Sequence, residues 1–398
     1  MKLSFLFGSG ISIPAGMPTM NEITESLLLG KDIKDGIEFY KHTDSHYYKK
    51  PYNSFDPVND VNMVSNISKF LARIKPEIDY FLGIRDIGRC ANYEDMYFVV
   101  SQFDHYYNTQ GMNPAIQSFI DKISNDTKYL MKQDFSEENY SLTEFSREVI
   151  NYINDIAISF LNKAIITTQY LAFLLDIYNE TEVERMDLFT LNHDLVLEKF
   201  FSLNSIFLNN FMENSDDCRI KTWNDQKQLE KINLLKLHGS IDWFPINGIK
   251  GMPVSEYTIL EEMFNNHRPL VLMGTVNKIL QYSSDIWIDL QWMFKIMLAE
   301  SDVLIVSGYG FGDDMVNSRI MSWLKSKNER KIIIIHAEPE QLKNGSLSML
   351  FDELGWSVWT ELRKQKKIIV LRKWIQDVTW YEIKEIIKEH KCQNKNLN

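Results

Sequence analysis

Short uninterrupted apolar runs alternate with helix-length periodic stretches along most of this chain. Leu3–Phe7 is an apolar run of strand length that feeds a turn containing Gly8 and Gly10, and a helical pattern follows from about Thr19. Similar runs recur at Asp187–Leu191, Leu234–Leu237, Leu270–Met273, Val303–Val306, Ile332–Ile335 and Ile368–Leu371. Helical patterns separate several of them, notably Ile286–Ala299 and Asp314–Lys325. Unbroken apolar strands with intervening helices predict a parallel sheet covered on both faces.

From about Val58 to Tyr178 the pattern is different. Phe145, Val149, Tyr152, Ile156 and Phe160 form an apolar stripe at helical spacing, and Tyr93–Tyr107 and Pro114–Met131 are further helix candidates. An irregular stretch over 46–57 precedes this region. The expected architecture is α/β, a Rossmann-like parallel sheet covered by helices and interrupted by a large all-α insertion. Residues 1–45 supply the first part of the Rossmann-like domain, 46–185 the insertion, 186–375 the remainder, and 376–398 a C-terminal helix and tail.

Composition narrows the function. The 398 residues carry a net charge of −11, which argues against a large duplex-binding surface because nucleic-acid affinity is dominated by phosphate neutralisation. No apolar run approaches the ~18–20 residues of a membrane helix. The opening Met1-Lys2-Leu3 leaves no room for a cleavable leader before the first strand, so a cytoplasmic location is expected. The three cysteines, Cys90, Cys218 and Cys392, are too scattered for a metal module. His42 and His46 have i,i+4 spacing without an acidic partner, so no metal site is expected.

In an open α/β sheet, ligands bind outside the C-terminal strand ends. Four segments close the expected strands there: Gly8-Ser9-Gly10 with Ser12, Asn192-His193-Asp194, His238-Gly239-Ser240, and Ser307 to Asp313. A strand–glycine turn–helix presents backbone amides to a phosphate, and no Lys or Arg lies between Leu3 and Gly30 to share that work. Each segment also has a structural reading. Asp194 suits an N-cap for a helix starting near Leu195, His238 a turn histidine, and Gly308 to Gly312 a loop avoiding a clash.

The order of these segments resembles the sirtuin-like family. Phe7 to Pro18 is similar to its Gly-Ala-Gly-Ile-Ser…Gly-Ile-Pro opening, with Ser9 in place of alanine. Thr190 to Asp194 resembles Thr-Gln-Asn-x-Asp, with Leu191 replacing glutamine. Leu237-His238-Gly239 matches Leu-His-Gly, and Ser307 to Asp313 resembles the bacterial Gly-Tyr-Ser-Phe-x-Asp segment, with Gly310 where serine is usual. The four-cysteine zinc module and the Phe-Arg pair of classical deacylases are missing from the sequence. What the resemblance implies is therefore a bacterial antiphage-defence enzyme that hydrolyses NAD+, with NAD as substrate and no metal. It implies Asn192, His238 and Asp194 as catalytic residues. Gly8, Ser9, Gly10 and Ser12 would hold the pyrophosphate, and Ser307, Gly308 and Tyr309 would border the adenosine half. A homo-oligomer is expected, with a HerA-type ATPase as partner ahead of a short Argonaute. A nucleotide-binding scaffold without catalysis and an NAD-dependent protein deacylase are the alternatives.

Overall fold

The structure, a computed structural model, describes residues 1–29, 57–84, 89–108, 114–131, 140–214, 221–245, 254–256, 268–274, 285–339, 362 and 364–395. His42, His46 and most of the irregular 46–57 stretch lie outside them.

Six strands form one parallel sheet. They are β1 (Lys2–Phe7), β2 (Arg185–Thr190), β5 (Ile232–Lys236), β8 (Val303–Ser307), β9 (Lys331–Ile335) and β10 (Ile368–Leu371), in the spatial order β10-β9-β8-β1-β2-β5. Every neighbouring pair is parallel. The apolar runs are unbroken because alternate residues serve two different cores. Leu3, Phe5, Phe7, Leu188, Leu234, Ile305 and Ile333 point to one face; Leu6, Phe189, Leu235, Leu304, Val306, Ile332 and Ile334 point to the other. The first face is covered by α6 (Phe173–Asn179), α7 (Val196–Leu203) and α10 (Trp380–Lys395). The second is covered by α8 (Asp285–Ala299) and α9 (Asp314–Ser326).

A third core is all-helical. It joins α2 (Pro57–Ile84), α3 (Tyr93–Asn108), α4 (Pro114–Thr127) and α5 (Leu142–Leu161). The expected stripe on α5 is its buried face, with Phe145, Val149 and Tyr152 fully covered. The first helix, α1 (Met20–Leu29), also packs here, through Ile23 and Leu27. Three helices start on reciprocal caps of the Ser/Thr-x-x-Glu kind: Thr19 with Glu22, Ser141 with Glu144, and Thr379 with Glu382. Each pairing satisfies two amides that the first helical turn leaves without intrahelical partners.

One expected strand is corrected. Leu270–Met273 does not join the parallel sheet; it makes only an isolated antiparallel bridge, Val271 to Gly239. Its backbone bonds go to the turn after β5, where Leu272 N donates to His238 O and Ser240 N donates to Leu270 O. An apolar run alone does not reveal its pairing partner, and here the partner is a turn. A second sheet was not legible in the sequence: β3 (Met212–Asn214), β4 (Lys221–Trp223), β6 (Trp243–Pro245) and β7 (Val254–Glu256) pair antiparallel in the order β3-β4-β7-β6. Three-residue strands are too short to show a period.

Candidate active site

The strand register lines up the candidate segments. Phe7 lies opposite Thr190 on one side and Ser307 on the other, and Thr190 lies opposite Lys236. The next residues, Gly8, Leu191, Leu237 and Gly308, therefore leave the sheet along one edge, the edge where ligands of such sheets bind.

Two of these loops are pressed into each other. Gly8 N donates to Ser307 O at 3.0 Å, and Gly10 N donates to Gly308 O at 3.0 Å. A Cβ on Gly8 would fall 2.4 Å from Gly308 O, and one on Gly10 would fall 2.7 Å from Gly308 Cα. Gly308 has φ +66°, and a Cβ there would fall 2.5 Å from Ile11 N. The glycines thus serve this backbone contact, and the amides of Gly8 and Gly10 are engaged by carbonyls of the neighbouring loop. Ser9 stays exposed at the tip.

Asn192 joins the first two segments. Its Nδ2 donates to Gly8 O at 3.1 Å and to Ser12 Oγ at 2.9 Å, while its own amide donates to Thr190 Oγ1. Both amide hydrogens are used in holding the loop, so the side-chain carbonyl is the atom left to meet a ligand hydroxyl or a water. Ser12, 1% exposed, serves here as the acceptor for Asn192. Asp194 lies just before the next helix, its Oδ1 accepting from Val196 N at 3.0 Å. The N-cap itself is Leu195, so Asp194 acts one residue outside the helix, closing an Asx-type turn rather than capping.

His238 finds a partner that the sequence reasoning did not assign a role. Its Nε2 lies 2.9 Å from Asp313 Oδ2, and both side chains are buried. The pair spans the sheet edge. His238 follows β5 and Asp313 follows β8, with β2 and β1 between them, so the two loops close about 14 Å at the usual strand spacing. Asp313 is itself fixed: Oδ1 accepts from Val316 N at the start of α9, and its amide donates to the Tyr309 hydroxyl. Tyr309 also reaches Asn317 Oδ1 at 2.8 Å, and its ring packs on Phe311 in the core. Burial raises the Tyr309 phenol well above its ordinary range, with Asp313 adding to the effect. The tyrosine expected at the adenosine half therefore has its hydroxyl turned into the protein, supporting Asp313. The signal for Asp313 was its place as the last residue of the Ser307–Asp313 segment.

A buried lysine ties the strand carrying His238 to the loop carrying Asn192. Lys236 Nζ donates to Asp194 O at 2.6 Å and to Glu198 Oε1 at 2.8 Å. A buried ammonium is tolerated only where it is paired and hydrogen-bonded. Burial pushes the Glu198 carboxyl up to about 7, against the pull of Lys236 and with a contribution from Asp242, although a quarter of its side chain remains open. The folded state thus holds this proton more tightly than the unfolded chain. Its stabilising contribution is complete below the ordinary carboxylate range and is lost as pH rises through about 7. Urea unfolding at pH 5 and pH 8 should show a smaller pH-dependent loss in Glu198→Gln than in the unaltered chain. An equal loss in both would remove Glu198 as its source.

Among the described residues, no group of three or more His, Cys, Asp or Glu side chains is arranged to hold a metal ion. None of the described helices is long and apolar enough to cross a membrane.

Residues 187–355 match the SIR2-like domain family. The matched span begins in β2 and contains Asn192, His238, Ser307, Gly308 and Asp313; the Gly8–Ser12 turn precedes it. A solved Sir2 homologue in complex with NAD is 12% identical, covering 98% of this chain and 90% of that one, with a TM-score of 0.36. A Sir2 enzyme solved to examine mechanism and regulation is 13% identical, covering 64% of this chain and 83% of that one, with a TM-score of 0.34. No curated protein sequence matches the chain.

Proposed function

We propose that this protein is an NAD+ glycohydrolase, cleaving the nicotinamide–ribose bond to give nicotinamide and ADP-ribose. The observation that carries the reading is the buried His238–Asp313 pair, held above the sheet edge beside the Asn192 loop within the SIR2-like span. The Leu-His-Gly and Asn-x-Asp resemblances add the substrate class.

The chemistry asks for little acid catalysis. Nicotinamide departs as a neutral base, so the enzyme has to stabilise a ribosyl cation and deliver a deprotonated water. With Nε2–H donated to Asp313, the imidazole carries its basic lone pair on Nδ1, and the carboxylate stabilises the imidazolium once formed. Water attacks the anomeric carbon, its proton passes to His238, and the C–N bonding electrons leave with nicotinamide. Asn192, its amide group anchored, presents its carbonyl to the ribose hydroxyls or the attacking water. Ser9 at the exposed tip, with Gly8, Gly10, Ser307 and Gly308 behind it, forms the surface proposed to meet the dinucleotide phosphates and adenosine half. Asp194 supports the Asn192 loop through its contact with Val196 N at the start of α7.

Asn192, His238 and Asp313 are each at most 8% exposed, which supports an enzyme at rest until its site opens. A free NAD hydrolase would drain the cell that makes it. We therefore include in the reading an antiphage-defence role in the cytoplasm, self-assembly, and activation by a HerA-type ATPase, a short Argonaute being the second choice. NAD incubated with the purified chain, with and without the candidate partner, should yield nicotinamide and ADP-ribose by HPLC. Asn192→Ala should lower that yield by about 10²–10⁴-fold, the range for removal of a positioned catalytic group. NAD bound but intact under every condition would favour the scaffold reading. Turnover only with an acyl-lysine peptide would favour the deacylase.

A further inference from the structure

We infer that the helical core holds His238 in place, with Asp155 and Arg268 acting as positioning residues that clamp the 268–274 segment onto the His238 turn. Asp155 lies on the buried face of α5, between Tyr152 and Ile156, and is 2% exposed. Nothing in a helix core calls for a carboxylate. Its oxygens accept a two-pronged contact from Arg268, Nε to Oδ1 at 2.9 Å and Nη2 to Oδ2 at 3.0 Å. Burial drives the Asp155 carboxyl up to about 6, with the guanidinium opposing that rise and Glu148 adding to it. Near neutral pH the arginine faces a carboxylate, and the fork geometry fixes direction as well as distance.

The residues immediately C-terminal to Arg268 wrap His238. Leu270 N donates to Trp243 O at 2.7 Å, Ser240 N to Leu270 O at 3.1 Å, and Leu272 N to His238 O at 2.9 Å. The contact is tight: Gly239 has φ +77°, and a Cβ there would fall 2.0 Å from Leu270 O. On its other side the same segment packs Val271 and Met273 into the helical core, together with Ile241 from the turn itself. One strip of backbone thus places Val271 and Met273 among the helices while its Leu272 amide holds His238 O. A shift of α5 that breaks the Arg268 fork releases the strip and, with it, the placement of the imidazole over the sheet edge. The active-site link is the part that rests on the proposed hydrolase; the mechanical link does not.

Hydrogen–deuterium exchange on the full chain separates the two. Asp155→Asn keeps the shape of the buried side chain, and Arg268→Gln changes one that is largely outside the core. Each should speed exchange of peptides covering 236–244 and 268–274 by about tenfold, as expected for a local opening made easier. Peptides from β1 and β8 should be unchanged. The double variant should be no faster than the faster single one, because both remove the same contact. In an active hydrolase, kcat should fall with little change in KM, and Arg268→Lys should recover part of it. Exchange at the turn unchanged in both variants would overturn the inference, and so would equal acceleration across the whole sheet. Faster exchange at the turn, in a protein that never cleaves NAD, would leave the clamp standing and refute the hydrolase instead.

Discussion

Replacing His238 with alanine is expected to lower NAD cleavage by about 10²–10⁴-fold, the span for loss of a positioned general base. Asp313→Asn is the sharper test. Asparagine keeps an oxygen able to cap α9 at Val316, so the helix start survives. Its amide group, however, donates to Nε2 where the carboxylate accepted. That reverses the imidazole tautomer, places the ring proton on Nδ1, and removes the lone pair that takes the proton from water. A loss of about 10²-fold or more in kcat, with NAD still bound, is the expected outcome. Full turnover in Asp313→Asn would show that the pair is a structural tie and that the base lies elsewhere. Steady-state kinetics with isothermal titration of NAD measures both quantities.

The second large effect is structural and owes nothing to the substrate. Gly308→Ala places a methyl 2.5 Å from Ile11 N and 2.9 Å from Gly10 Cα, at a residue whose φ is +66°. The left-handed backbone alone costs about 1–3 kcal/mol for a residue with a Cβ. The atoms in the way are main chain on both sides, so no side-chain rotation relieves the clash. The Gly8–Gly10 turn and the Ser307–Asp313 loop have to separate, carrying Asn192 and Asp313 with them through Gly8 O and the α9 cap. Urea unfolding should show a destabilisation of at least about 3 kcal/mol, at the severe end for a point change. Gly310→Ala is the internal control, since a Cβ there has nothing within 4 Å. Equal stability of the two variants would contradict the loop packing described.

Legibility in the sequence followed the range of the interaction concerned. The strands β1, β2, β5, β8 and β9 were visible because each is buried on both faces and so reads as an apolar run, and the half-buried edge strand β10 keeps the same run. The helix over Leu142–Leu161 was visible because its stripe is local; the capping boxes at Thr19, Ser141 and Thr379 are equally local four-residue patterns that the apolar periodicity does not use. Asn192, His238 and the glycines were found by their position at strand ends. What they contact was another matter. Glycine spacing suggested amides free for a phosphate, whereas those of Gly8 and Gly10 bond to Ser307 and Gly308, three-quarters of the chain away.

Leu270–Met273 has the composition of a strand, yet its backbone closes a turn, because hydrogen-bonding partners are set by the path of the chain and not by side-chain polarity. Tyr309, expected to border the adenosine half, has its hydroxyl bonded to Asn317 and Asp313, contacts that no local pattern announced. By itself, then, the sequence determined the α/β class, the helical stripe on α5 and which strand-end segments share one sheet edge, since these rest on burial periodicity and on strand-end residues. Only the tertiary structure decided that Asp313 reaches His238 across two strands, that Lys236 braces the Asn192 loop, and that Arg268 ties the helices to the His238 turn. Those are pairings between charged or polar groups far apart in the chain. No local pattern encodes them, because each depends on where the fold brings both partners.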